Sequence, residues 1–175
     1  ALRMQGRRPS DMKVLWALNV IVDETEAGAK AKEAALHSAV HDEAALALMS
    51  GHFNYDLSTL PADEPIRNLE TDGVQGMVDM VMQDFGEDVT LLEAARRYGT
   101  GIGVMSVVGT PDVVADRMEE LYEIGEGDGF MLLTQRLPGS VSDLVDLLVP
   151  ELQRRGRFRQ EYESRTLRGH FFEVA

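Results

Sequence analysis

The sequence predicts an α/β fold, and three observations carry that expectation. The run Gly129-Phe130-Met131-Leu132-Leu133-Thr134 is apolar, too short for a helix and bounded by turn residues. It reads as a strand buried on both faces, the pattern of a parallel sheet. The run from Lys13 to Val22, KVLWALNVIV, is a second strand, rich in branched and aromatic residues. Helical patterns lie between and after these runs, which is the rhythm of strands joined by crossover helices.

The elements follow in order. Arg7 to Asp11 is a polar turn around Pro9, and the first strand comes next. Asp23-Glu24-Thr25-Glu26 opens a helix, with Asp23 or Thr25 as the cap and acidic residues in the first turn. Alanine-rich sequence carries this helix to about Met49. Ser50 to Asn68, with Gly51, Pro61 and Pro65, is a long irregular stretch. Val74, Met77, Val78, Val81, Met82 and Phe85 share one helical face, and Gly86 stops that helix. Thr90-Leu91-Leu92-Glu93 is a capping box for a short helix ending at Tyr98-Gly99. Val104 to Val108 follows the glycines and reads as extended. Thr110 caps the next helix, with Pro111 at its first position and Gly125 just past its end. Val113, Val114, Met118, Leu121 and Tyr122 mark its apolar face. After the second strand, Pro138 and Gly139 close a loop, and Ser140 with Asp143 caps a final long helix.

These same residues resemble a known family. Val107-Val108-Gly109-Thr110-Pro111 with Val114-Ala115-Asp116, Asp128-Gly129-Phe130, Leu137-Pro138-Gly139 and Val149-Pro150-Glu151-Leu152-Gln153-Arg154-Arg155-Gly156 resemble the bacterial-luciferase-like flavin monooxygenases. The resemblance is to the branch of nitrilotriacetate monooxygenase component A and dibenzothiophene-sulfone monooxygenase. The tail, Phe158-Arg159-Gln160-Glu161-Tyr162 with Arg165-Thr166-Leu167-Arg168, fits too. So do Gly6-Arg7-Arg8-Pro9, Glu24-Thr25-Glu26-Ala27 and Ser50-Gly51-His52-Phe53 with Asp56-Leu57-Ser58, in the same order.

The resemblance implies the C-terminal part of a (β/α)8 TIM barrel with a largely helical insertion between the last two strands. On that reading 1–49 hold a barrel strand and helix, and 50–106 form the insertion or lid. Residues 107–156 are the last barrel helix, strand and helix, and 157–175 are a C-terminal tail. Members of the family are more than twice this long, so the resemblance implies a fragment. The catalytic and phosphate-binding positions then lie upstream of Ala1.

Composition excludes several classes. The chain has 175 residues, 17 basic and 30 acidic, for a net charge of -13. That charge argues against a nucleic-acid partner, which needs a basic patch. There is no cysteine, so disulfides, thiolate metal sites and a cysteine nucleophile are ruled out. No apolar run approaches the roughly 20 residues of a membrane helix. A cytoplasmic location is the default expectation.

The candidate residues are few. Gly99-Thr100-Gly101-Ile102-Gly103 lacks the lysine of a phosphate loop and reads as a flexible loop. His37 and His41 lie one helical turn apart, yet no Glu stands between them, and they read as a polar face. No metal site is expected. His52 stands with Phe53 and Tyr55 before the long insertion, an aromatic cluster with one titratable ring that suits a flavin or substrate pocket. The bland alternative is a surface-loop histidine.

Thr134 and Gln135 follow the last strand, at the end that faces the active site in a barrel. Asn19, Val20 and Val22 occupy the same end of the other strand. Relatives carry a histidine shortly before the Val-Gly-Thr-Pro run, where this chain has Val104-Met105-Ser106. The pocket-lining expectation therefore rests on Thr134, Gln135, His52 and Tyr55, with the catalytic residues unassigned.

The resemblance also implies reduced FMN from a separate flavin reductase, O2 and a small organic substrate. The isolated chain is expected to be inactive and to associate with the missing N-terminal barrel portion or with itself. Two alternatives stand beside this: a non-enzymatic oligomerising or binding module, and a deazaflavin-dependent relative of the same superfamily.

Overall fold

The computed structural model describes residues 2–66, 76, 79, 81–83, 86, 88–101 and 103–172. The helix expected over 74–85 falls largely outside them, although 81–83 are helical. The chain divides into two compact units, Ala1–Ala29 with Val107–Ala175, and Lys30–Ser106. No described helix is long and apolar enough to cross a membrane.

The first unit is built on a three-stranded sheet. Strands β1 (Leu15–Val22), β2 (Ser106–Gly109) and β3 (Gly129–Leu133) lie in the order β2-β1-β3. β1 and β3, far apart in sequence, pair in parallel, with Leu15 opposite Gly129 and Asn19 opposite Leu133. The two apolar runs are thus the parallel neighbours their composition predicts. The extended stretch before Thr110 adds a third strand on the other side of β1.

Alternation assigns the faces. Leu18, Val20 and Val22 of β1 join Phe130 and Leu132 of β3 in one core. Helix α4 (Pro111–Gly125) brings Val114, Ala115 and Met118 to it. The last long helix brings Leu144, Leu148 and Leu152.

The expectation of burial on both sides holds for the second half of β1, where Asn19 and Ile21 of the opposite face are buried too, and fails toward the strand starts. Met131 is 52% exposed, and Leu15 and Ala17 are exposed too. An unbroken apolar run carries no signal of where along its length burial stops.

Asp128 sets the register at the start of β3. Its Oδ2 accepts a hydrogen bond from the Val14 amide at 2.8 Å, and its Oδ1 takes one from Lys13 Nζ at 2.9 Å. Its own amide donates to the Val14 carbonyl at 2.8 Å. Trp16 lies beside the same turn, donating from Nε1 to the Gly125 carbonyl at 3.2 Å. A Cβ at Gly127 would stand 2.4 Å from Trp16 Nε1, so this close approach requires glycine. Gly125 answers the same need and is the last helical residue. Glu126, not Gly125, takes the left-handed conformation past the helix, with φ of 48°.

Two expected caps also differ. Thr110 occupies the N-cap position, yet its hydroxyl bonds Asp112 Oδ1 at 2.5 Å instead of a backbone amide. The last helix starts at Gly139, and Ser140 Oγ accepts from the Arg136 amide at 3.2 Å. That helix runs as α5 (Gly139–Asp143), a π-helical stretch Leu144–Leu148, and α6 (Val149–Arg154). Pro150 lacks the amide that would bond back four residues, and the widened turn lies where that ladder would pass.

The second unit packs α2 (Asp42–Phe53) against α3 (Leu91–Gly101). Helix α1 (Glu26–Ser38) precedes it and spans the divide. Thr25 is its cap, accepting from the Gly28 amide at 3.0 Å. The single alanine-rich helix expected to run to about Met49 is therefore two. His41 is extended, with φ of -82° and ψ of 130°, and Asp42 and Glu43 open α2. High alanine propensity hides such a break, because it rewards helix without saying where to stop.

Ala45, Met49 and Phe53 of α2 meet Leu91, Ala94, Ala95 and Tyr98 of α3 in one core, with Leu57 and Ile66 from the following stretch. That stretch is anchored more firmly than its glycine and proline content suggests. The Ile66 amide bonds the Val89 carbonyl at 3.0 Å, and the Leu91 amide bonds Glu64 at 2.9 Å. Thr90 Oγ1 accepts from the Glu93 amide at 3.3 Å, as the capping sequence predicts. The helix does not end at Gly99. A Cβ there would lie 3.0 Å from Val40 and 3.4 Å from Ala45, so Gly99 belongs to the helix crossing and the helix continues to Gly101.

Candidate functional site

The C-terminal ends of the strands gather polar groups within the first unit. The Asp23 amide donates to the Gly109 carbonyl at 3.2 Å, joining the ends of β1 and β2. Asp23 Oδ1 accepts from the Thr25 amide at 3.1 Å, so this carboxylate braces the turn into α1. Thr134 and Gln135 stand just past β3 and are half-buried. Arg136 follows, exposed, in a loop closed by its carbonyl accepting from the Ser140 amide at 2.7 Å. Asn19 faces away from the helical core and is 2% exposed. It is the one polar residue counted as buried among those described.

His52 and Tyr55 belong to the second unit. His52 sits in the last turn of α2, with its Nδ1 2.7 Å from the Tyr98 hydroxyl. The rings pack edge to face at 5.7 Å, and Phe53 meets Tyr98 the same way at 6.0 Å. Tyr98 is fully buried, and that burial pushes its pKa up. Tyr55 is exposed just past the helix. His52 is therefore paired to a buried phenol as well as standing near aromatic residues.

Sequence reasoning missed Tyr98. Its signal was present in the spacing Leu91, Ala94, Ala95, Tyr98, which turns a phenol inward to a core where its hydroxyl needs a partner. His37 and His41 lose their one-turn relation, because one lies in the last turn of α1 and the other precedes α2. Among the described residues no group of three His, Asp or Glu side chains could hold a metal ion.

The donor set at the strand ends bears on which cofactor group could sit there. Thr134, Gln135 and Arg136 offer hydroxyl, amide and guanidinium groups after β3, suited to the oxygen- and nitrogen-bearing edge of a flavin ring. Asp23, Glu24 and Glu26 stand after β1, and carboxylates there oppose a phosphate.

Comparison with known proteins gives a consistent answer. No protein-family model matches the chain. Dibenzothiophene-sulfone monooxygenase of Rhodococcus erythropolis is 37% identical over 171 residues, which is 94% of this chain and 38% of that protein. The crystal structure of DmoA from Hyphomicrobium sulfonivorans superposes with a TM-score of 0.87 at 31% identity, covering 97% of this chain and 36% of that one. Riboflavin lyase, solved with modified FMN and riboflavin, superposes with a TM-score of 0.78 at 27% identity, covering 97% of this chain and 37% of that one. The chain thus spans well under half the length of the proteins it matches. By sequence and by fold, nearly the whole chain is homologous to part of the luciferase-like monooxygenases, in the branch of nitrilotriacetate monooxygenase component A and dibenzothiophene-sulfone monooxygenase.

Proposed function

We propose that this chain is the C-terminal part of a (β/α)8 barrel in a cytoplasmic FMN-dependent monooxygenase that oxidises a small organic substrate. Homology across 94% of the chain to dibenzothiophene-sulfone monooxygenase carries the reading. The parallel pairing of β1 and β3, with helices on one face, agrees with two neighbouring barrel strands. The second compact unit lies between those strands in sequence and is then the insertion.

Reduced FMN, delivered by a separate flavin reductase, would supply the two electrons. One atom of O2 enters the substrate, and the other leaves as water. This chain's part is to bind and orient. In a barrel the C-terminal strand ends face the active site, so Thr134 and Gln135 would line the pocket and bond the polar edge of the flavin or the substrate. Asn19 would sit on the same inward face. The acidic turn at Asp23 to Glu26 would turn phosphate away, leaving that group to residues outside this chain. His52 and Tyr55 lie in the insertion and would offer a donor and an aromatic surface of their own.

The test uses the full-length protein that contains this chain. It is incubated with a flavin reductase, NADH, FMN and 18O2, and with substrates named for its relatives: dibenzothiophene sulfone, nitrilotriacetate and dimethyl sulfide. The expected result is FMN-dependent incorporation of one 18O atom into one of them. Absence of any 18O-labelled product, with the reductase active, would refute the reading.

A further inference from the structure

A fixed, outward-facing hydrogen-bond donor on the second unit has no role in the fold. Tyr98 is fully buried, and its hydroxyl lies 2.7 Å from His52 Nδ1. Burial keeps the phenol protonated, and His52 Nδ1 is the one hydrogen-bond partner of its hydroxyl among the described residues, so the buried O–H donates to Nδ1. Nδ1 must then accept, which places the ring proton of the neutral imidazole on Nε2. The two nitrogens lie on opposite sides of the ring. With Nδ1 turned to a buried hydroxyl and the residue exposed, Nε2 faces outward. It has no hydrogen-bond partner among the described residues. Edge-to-face packing on Tyr98, with an interplanar angle of 73°, holds the ring orientation, and Phe53 buttresses Tyr98 in turn.

We propose that His52 Nε2–H donates to an oxygen acceptor of the substrate, a sulfonyl, carboxyl or carbonyl oxygen, and that Tyr98 is the positioning residue that fixes this tautomer. The inference deepens the monooxygenase reading and rests on it for the word substrate. A neutral N–H suits this acceptor class, because it recognises oxygen without requiring a counter-charge. Preorganisation gives the donor its value. A free surface histidine loses rotamer freedom on binding, whereas this ring is already held. A histidine needed only to satisfy Tyr98 would bind nothing on its outer edge, and this difference is measurable.

The measurement is 15N NMR of the His52 ring in the full-length protein at pH 8, with benzoate and diphenyl sulfone as acceptor-bearing probes. The wild type should show the Nε2–H tautomer. The Nε2 signal should shift saturably with at least one probe. Tyr98→Phe should release the tautomer to a mixture and weaken probe binding about tenfold, the scale of one hydrogen bond. His52→Ala should weaken it at least as much, and His52→Gln, which keeps an N–H donor, should restore part of it. An Nδ1–H tautomer in the wild type, or no saturable shift with either probe, overturns the proposal. So does unchanged probe binding in both His52 variants. If the Tyr98 variant fails to fold, the wild-type tautomer and the His52 pair still decide. None of these readouts needs turnover, so loss of the 18O result alone would count against the monooxygenase reading and not against the donor.

Discussion

Asp128 ties the start of β3 to the start of β1 through its side chain. Its two oxygens hold the Val14 amide and the Lys13 ammonium, and these bonds hold its carboxyl below the ordinary value of 3.8, the Val14 amide contributing most. The side chain is 35% exposed, which screens the ion pair and lowers its worth. Asp128→Ala should therefore cost about 1 kcal/mol in chemical denaturation. A depressed folded-state pKa gives stability that is present above the unfolded value and is lost as pH falls. The gap between wild type and variant should hold at neutral pH and shrink once pH drops below 3.8. A gap unchanged at acid pH would mean that the lost term was packing.

At the scale of elements, Arg155 ties the last helix to α4. It reaches Asp116 at 2.6 Å, the Asp112 carbonyl at 3.2 Å and Glu151 at 2.6 Å, with its side chain 17% exposed. Glu151 also takes two bonds from Arg154, at 2.6 and 2.8 Å. With Arg154 contributing most and Arg155 next, its carboxyl is held down from 4.5 to about 2. The sign is that of Asp128. Stabilisation by Glu151 is complete above pH 4.5 and fades as pH falls toward about 2. Glu151→Gln should lower the urea midpoint at pH 6 and approach the wild type at pH 3. Parallel curves across that range would show that the arginines do not depend on this charge.

The same scale shows what the sequence could and could not tell. The strands were legible because short apolar runs between turn residues have few other fates. The Pro111 helix was legible from the proline at its start and from Val114 and Met118, although Val113 and Tyr122 of the expected apolar face are exposed. The break at Val40–His41 was not, since alanine-rich sequence favours helix on both sides of it. Gly99 and Gly125 misled for a shared reason: each is glycine to admit a neighbour, Ala45 in one case and the Trp16 indole in the other. A sequence shows the missing Cβ but not what fills its place. The His52–Tyr98 pair crosses 46 positions between two helices, a separation that local periodicity does not reach.

At the scale of the molecule, the first unit presents an unfinished sheet. β2 and β3 are its edges, each with one neighbour in the strand order, and unpaired edges invite further strands. On the face away from the helices, Leu15 and Met131 stand exposed beside Ala17. Covering each large side chain is worth about 1.5–3 kcal/mol. The net charge of -13 opposes association between copies. That repulsion is screened within about 8 Å at physiological salt, while apolar burial is not. The isolated 175-residue chain should therefore self-associate, and more strongly as salt rises. Sedimentation velocity across a range of concentration and salt measures this directly. Leu15→Lys combined with Met131→Lys should shift the distribution toward monomer. A wild-type chain that stays monomeric throughout would show that edge and face together do not overcome the charge. Association that weakens with salt would assign the contact to ion pairs, and the arginine-bearing tail would replace the sheet as its source.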